Sequence, residues 1–71
     1  MTDLKISLKK WRQLKGYTQD EISKKLDISK GTWQNWENNK TIPNAIQIRK
    51  VIDLFDINFN QIKWEKDKQK T

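Results

Sequence analysis

Thr18-Gln19-Asp20-Glu21-Ile22-Ser23-Lys24-Lys25-Leu26-Asp27-Ile28-Ser29-Lys30-Gly31-Thr32-Trp33-Gln34-Asn35-Trp36-Glu37 holds two short helix patterns with almost nothing between them. Thr18 is followed three positions on by Glu21, and Ser29 at the same distance by Thr32. A hydroxyl at a helix start accepts a hydrogen bond from the third helical N–H, and a residue at that position can reach back. Only Leu26-Asp27-Ile28 joins the two patterns. Helices so close in sequence must cross steeply rather than lie side by side, which is the geometry of a helix-turn-helix.

The same frame, an apolar residue, a cap, two others, a partner and an apolar residue, occurs four times: Tyr17-Thr18…Glu21-Ile22, Ile28-Ser29…Thr32-Trp33, Pro43-Asn44…Gln47-Ile48 and Ile57-Asn58…Gln61-Ile62. Each cap contributes about 1 kcal/mol, so it is the recurrence that carries weight. These frames predict the starts of the second to fifth helices; a first helix is predicted over residues 4–15, with Leu4, Leu8, Trp11 and Lys15 on one stripe. Ile22 and Leu26, then Trp33 and Trp36, then Ala45, Ile48, Val51, Ile52 and Phe55 supply the later core faces. Gly16 suits a left-handed helix end, Asp27 and Asn39 occupy two further ends, and Pro43 breaks the chain before the fourth helix. No stretch shows sustained alternation with β-branched enrichment and turn signals on both sides, so no strand is expected. The expected fold is all-α: a five-helix domain over residues 1–63 containing the helix-turn-helix, with a charged, frayed or disordered tail over 64–71.

Composition narrows the chemistry. The 71 residues make one domain, and a net charge of +6 is carried by 13 Lys and 2 Arg. An isoelectric point near 9.7 is the electrostatic profile of a nucleic-acid binder, although excess lysine also keeps small proteins soluble. The absence of Cys and His removes disulfide frameworks and the usual zinc-finger ligand sets. No apolar run approaches the ~18 residues of a membrane span, and no signal-peptide pattern is read in the opening residues. A cytoplasmic protein, prokaryotic or phage-encoded, is expected.

Leu8-Lys9-Lys10-Trp11-Arg12-Gln13-Leu14-Lys15-Gly16-Tyr17-Thr18-Gln19-Asp20-Glu21-Ile22 resembles the opening of the Cro and phage-repressor (XRE-like) helix-turn-helix family. Ile28-Ser29-Lys30…Trp36-Glu37-Asn38-Asn39-Lys40…Pro43 resembles its recognition helix and following loop, and Phe55-Asp56-Ile57-Asn58-Phe59-Asn60-Gln61-Ile62 its last helical corner. The resemblance runs over residues 4–62. It implies that Gln19 binds a DNA phosphate, that Asn38, Asn39 and Lys40 grip the DNA backbone, and that Arg12 pairs with Glu37 and also touches a phosphate. Lys9 and Lys10 add long-range attraction or are simply solvated.

With Trp33, Trp36 and Glu37 facing inward, Lys30, Gly31, Gln34 and Asn35 face outward, with Ser29 at the helix start. Lys30 suits guanine O6 and N7, and Gln34 or Asn35 can pair with adenine. Gly31 departs from the pattern by offering no reading side chain. The partner implied is a double-stranded DNA operator, a palindrome or pseudo-palindrome whose half-sites are read by a dimer. The chain ends soon after the fifth helix, so no separate dimerisation domain is expected. Leu54, Phe59 and Trp64, with Ile46, lie off the core stripes and are candidate contacts in a weak homodimer strengthened on DNA. The expected function is that of a Cro-like repressor of a phage or mobile element. A protein-interaction module, antitoxin-like or anti-repressor, is the alternative, but the polar, hydrogen-bonding outer face argues against it. An enzyme would find almost no catalytic groups; no catalytic residue, metal, cofactor or small-molecule ligand is expected.

Overall fold

The computed structural model describes residues 4–64, and within them each α-helix begins at a side-chain cap. Four α-helices follow one another: α1 (Leu8–Leu14), α2 (Gln19–Leu26), α3 (Lys30–Glu37) and α4 (Ala45–Phe55). Thr18 and Glu21 form a reciprocal box at the start of α2, with bonds of 3.0 and 2.9 Å. Asn44 and Gln47 do the same for α4, at 2.8 and 2.9 Å. Ser29 Oγ accepts from Thr32 N–H at 3.1 Å, while the Thr32 hydroxyl bonds the Ser29 hydroxyl at 2.8 Å and leaves the backbone alone.

Two expectations need correction. The first helix starts at Leu8, because Ser7 caps it by accepting from Lys10 N–H at 3.2 Å. Leu4, assigned to the core stripe, is 47% exposed. The expected fifth helix is a 3-10 turn, Phe59–Gln61, after which Ile62 is extended at φ −102° and ψ 126°. Gln61 does reach back to Asn58 N–H at 2.9 Å and Ile62 N–H closes on Phe59 carbonyl at 3.1 Å, but the donor after that goes elsewhere. Lys63 N–H bonds Ile6 carbonyl at 2.8 Å, and Ile6 N–H bonds Gln61 carbonyl at 3.1 Å, an isolated parallel bridge between Ile6 and Ile62. Both ends of the domain gave up helix for this clasp, and Trp11 secures it by donating its indole N–H to the same Gln61 carbonyl at 2.7 Å.

Residues with positive φ end the helices. Gly16 (φ 83°), Asp27 (60°), Asn39 (62°) and Asp56 (59°) are all left-handed, and Asp tolerates this less well than Gly or Asn.

Leu8, Trp11, Ile22, Leu26, Trp33, Trp36, Val51, Phe55 and Ile62 are buried and form one core, with Trp33 and Phe55 at its centre, fully covered. The Trp33 ring meets Trp36 edge-on at 5.6 Å and Phe55 at 6.5 Å, while Tyr17 stacks on Phe55 at 6.4 Å. Such aromatic pairs add about 0.5–1.5 kcal/mol each beyond the area they bury. Of the α4 stripe, Val51 and Phe55 are buried, Ile48 and Ile52 half-buried, and Ala45 exposed. Lys15 ends the α1 stripe with its ammonium 5.8 Å from the Trp11 ring centre. Trp64 packs partly against the core, its ring 6.0 Å from that of Phe59; the remainder of the charged tail, 65–71, lies outside the described residues.

Candidate nucleic-acid interface

Glu37, the last residue of α3, organises the surface where α1, α2 and α3 meet. Its Oε2 accepts from Arg12 Nε at 2.7 Å and from Trp33 Nε1, and its Oε1 accepts from Gln19 Nε2 at 2.9 Å. Arg12 also donates Nη1 to Tyr17 carbonyl at 2.8 Å, in the loop between α1 and α2. The planar guanidinium thus ties α1 and that loop to the end of α3 through two donors held in a fixed fork. Three donors compensate a carboxylate that is almost fully buried.

The Arg12–Glu37 pair is present, and its burial constrains the second role considered for Arg12. With the side chain 11% exposed, Nε given to Glu37 and one Nη1 hydrogen to Tyr17 carbonyl, the second Nη1 hydrogen and Nη2 are what is left to approach a phosphate. Gln19 is similarly committed on one side. One N–H of its amide goes to Glu37, and its carbonyl accepts from Gln34 Nε2 at 3.1 Å. An amide nitrogen carries two hydrogens, so one donor remains. A shallow open cleft lined by Arg12, Tyr17, Thr18, Gln19, Asp20 and Lys30 lies at that end of α2.

Along α3, Lys30 and Gly31 are exposed and Gln34 and Asn35 half-buried. Gln34 is turned sideways onto Gln19. A Cβ placed at Gly31 would meet nothing nearer than Ser29 Oγ at 4.0 Å, so the fold itself does not require glycine there. Ser29 Oγ is occupied as the α3 cap. In the loop that follows, the main-chain N–H groups of Asn38, Asn39 and Lys40 close the end of α3, on the carbonyls of Gln34, Trp36 and Asn35. These amides are spent internally, which leaves the side chains of Asn38 and Lys40, both exposed, and the half-buried Asn39.

The remaining candidates separate by exposure. Ile46 is 70% and Phe59 47% exposed, whereas Leu54 and Trp64 pack partly against the core. No group of three or more acidic residues able to hold a metal occurs among the described residues, and no helix there is long and apolar enough to cross a membrane. The hydrogen bonds from Trp33 and Gln34 were not anticipated from sequence. Trp33 and Glu37 are four apart on one helix, a spacing that brings side chains together, so that contact had a signal; the Gln34–Gln19 contact, between two helices, had none.

A family model described as helix-turn-helix matches residues 8–62, from the first residue of α1 to the end of the terminal clasp. No curated protein and no solved structure matches the chain.

Proposed function

Because the chain belongs to the Cro and phage-repressor type (XRE-like) helix-turn-helix family, a family of DNA-binding transcription regulators, we propose that it is a sequence-specific regulator that reads the major groove of double-stranded DNA with α3. The observation that carries this reading is the two-sidedness of α3. Trp33, Trp36 and Glu37 anchor one face to the domain, and Lys30, Gly31 and Asn35 lie on the other. Lys30 donates to guanine and Asn35 pairs with adenine, while the bare backbone at Gly31 lets the helix approach the base edges closely. The uncommitted N–H of Gln19 and the side chains of Asn38, Asn39 and Lys40 hold phosphates on either side, fixing register without reading sequence. Arg12 serves mainly to set the angle of α3.

In this reading the protein is a Cro-like repressor of a phage or mobile element. Two copies occupy half-sites about 34–36 Å apart on a palindromic operator. The exposed Phe59 and Ile46 supply apolar contact between copies, with Leu54 and Trp64 behind them. Such small contacts favour association that is weak in solution and strengthened on DNA.

Titration of duplex DNA at several salt concentrations tests the proposal. Each phosphate neutralised by a cationic side chain steepens the log–log slope by about 0.9, so affinity must fall sharply as salt rises. A flat response would overturn the DNA reading.

A further inference from the structure

Gln34 lies on the face of α3 turned toward the proposed DNA, yet its amide nitrogen is directed at the side chain of Gln19, 3.1 Å away. We infer that Gln34 is a positioning residue that fixes the amide of Gln19 for phosphate binding, and that it does not read bases. This rests on the DNA-binding function proposed above.

The physical reason lies in the two ends of a glutamine amide. They have nearly the same shape but opposite hydrogen-bonding character, so an unrestrained amide presents either end to a ligand. Here the Glu37 carboxylate sets the orientation, and Gln34 adds a second bond that restrains the amide in it. The Glu37 carboxylate only accepts, and Gln19 turns Nε2 to its Oε1 at 2.9 Å. Gln34 donates, and Gln19 turns Oε1 toward it. In the reversed orientation the Gln19 carbonyl would face a carboxylate, and the bond to Glu37 would be lost. Glu37 is itself held by Arg12 and Trp33, so the arrangement rests on the buried core. One N–H of Gln19 is left over, and a phosphate oxygen requires a donor there. Holding that donor in place beforehand removes part of the ordering cost of binding. Selection among bases then falls to Lys30 and Asn35.

Binding of Gln34→Ala, Gln19→Ala and the double variant, measured on the selected operator and on random duplex, separates the two roles. Loss of one such hydrogen bond is expected to weaken binding about three- to tenfold. For each single variant the loss should be equal on both DNAs, with the same preferred base at every operator position. The double variant should be no weaker than either single, because both remove the same contact. In the free protein, the side-chain NH2 resonances of Gln19 should move toward those of a solvated glutamine in Gln34→Ala, at unchanged helix content. A change in the preferred base at one operator position in Gln34→Ala alone would overturn the inference, as would losses that multiply in the double variant. Failure of the wild-type protein to bind any duplex would instead overturn the function on which it rests.

Discussion

Arg12 Nε lies 2.7 Å from Glu37 Oε2, with the two side chains 11% and 4% exposed, so the last residue of α3 is pinned to α1 by an ion pair almost removed from water. Two i,i+4 pairs, Lys24–Asp20 and Arg49–Asp53, both at 3.6 Å and largely exposed, contribute little by comparison. A buried pair is weak evidence of net stabilisation, since both charges gave up hydration. Its energetic signature appears when one partner is removed.

Arg12→Ala is therefore expected to destabilise the domain by about 3–5 kcal/mol, the usual cost of stranding a buried charge. Arg12→Lys should be milder. It keeps the charge beside Glu37 but loses the second donor to Tyr17 carbonyl. Urea denaturation of both variants checks this. Equal stability of Arg12→Ala and the parent would mean that Trp33 and Gln19 satisfy Glu37 unaided.

Trp33→Phe keeps most of the ring at the centre of the core and removes the indole N–H from Glu37. The loss should fall in the range of about 1–3 kcal/mol, because a buried acceptor loses a donor at the same time as some volume is lost. Thermal unfolding monitored by circular dichroism measures it.

The clasp between Ile6 and Ile62 gives a third expectation. Trp11→Phe deletes the bond to Gln61 carbonyl and should cost about 0.5–1.5 kcal/mol. The loss should be local as well as global. Amide hydrogens of Ile6 and Lys63, which form the bridge, should exchange faster relative to those of α2 and α3. Uniform acceleration across all helices would show that the clasp does not open by itself.

Asp56 ends α4 at φ 59° and ψ 51°, a conformation in which a side chain is strained. Asp56→Gly relieves that strain and should stabilise by up to about 1 kcal/mol. For a domain of this size that corresponds to a rise of about 4–8 °C in Tm. A fall in Tm would indicate that the Asp56 side chain stabilises the turn in another way.

The parts of this fold legible in its sequence are those fixed by local chemistry. Thr18, Ser29 and Asn44 mark the starts of α2, α3 and α4 because a capping side chain and its partner lie three residues apart. Trp33 and Trp36 announce the inner face of α3 by size and spacing. The ends of the chain are not legible in that way. Leu4, Leu8, Trp11 and Lys15 would suit one helix stripe, and the stretch from Asn58 to Ile62 would suit a helix start. What decides against both is the pairing of Ile6 with Ile62, a contact between distant residues that neither segment foretells. The candidate interface divides likewise. Lys30, Asn35 and Glu37 follow from helical phase, whereas the sideways turn of Gln34 depends on where α2 places Gln19.

Selection of bound sequences from a pool of random duplex DNA, at a salt concentration near physiological, tests the DNA-reading role most directly. The wild-type protein should enrich an inverted repeat with half-sites about one helical turn apart. Lys30→Ala and Asn35→Ala should each relax the preference at one position per half-site, at a cost of about 1–3 kcal/mol on the original operator. Recovery of no common sequence, or of one that neither substitution alters, would contradict a reading role for α3.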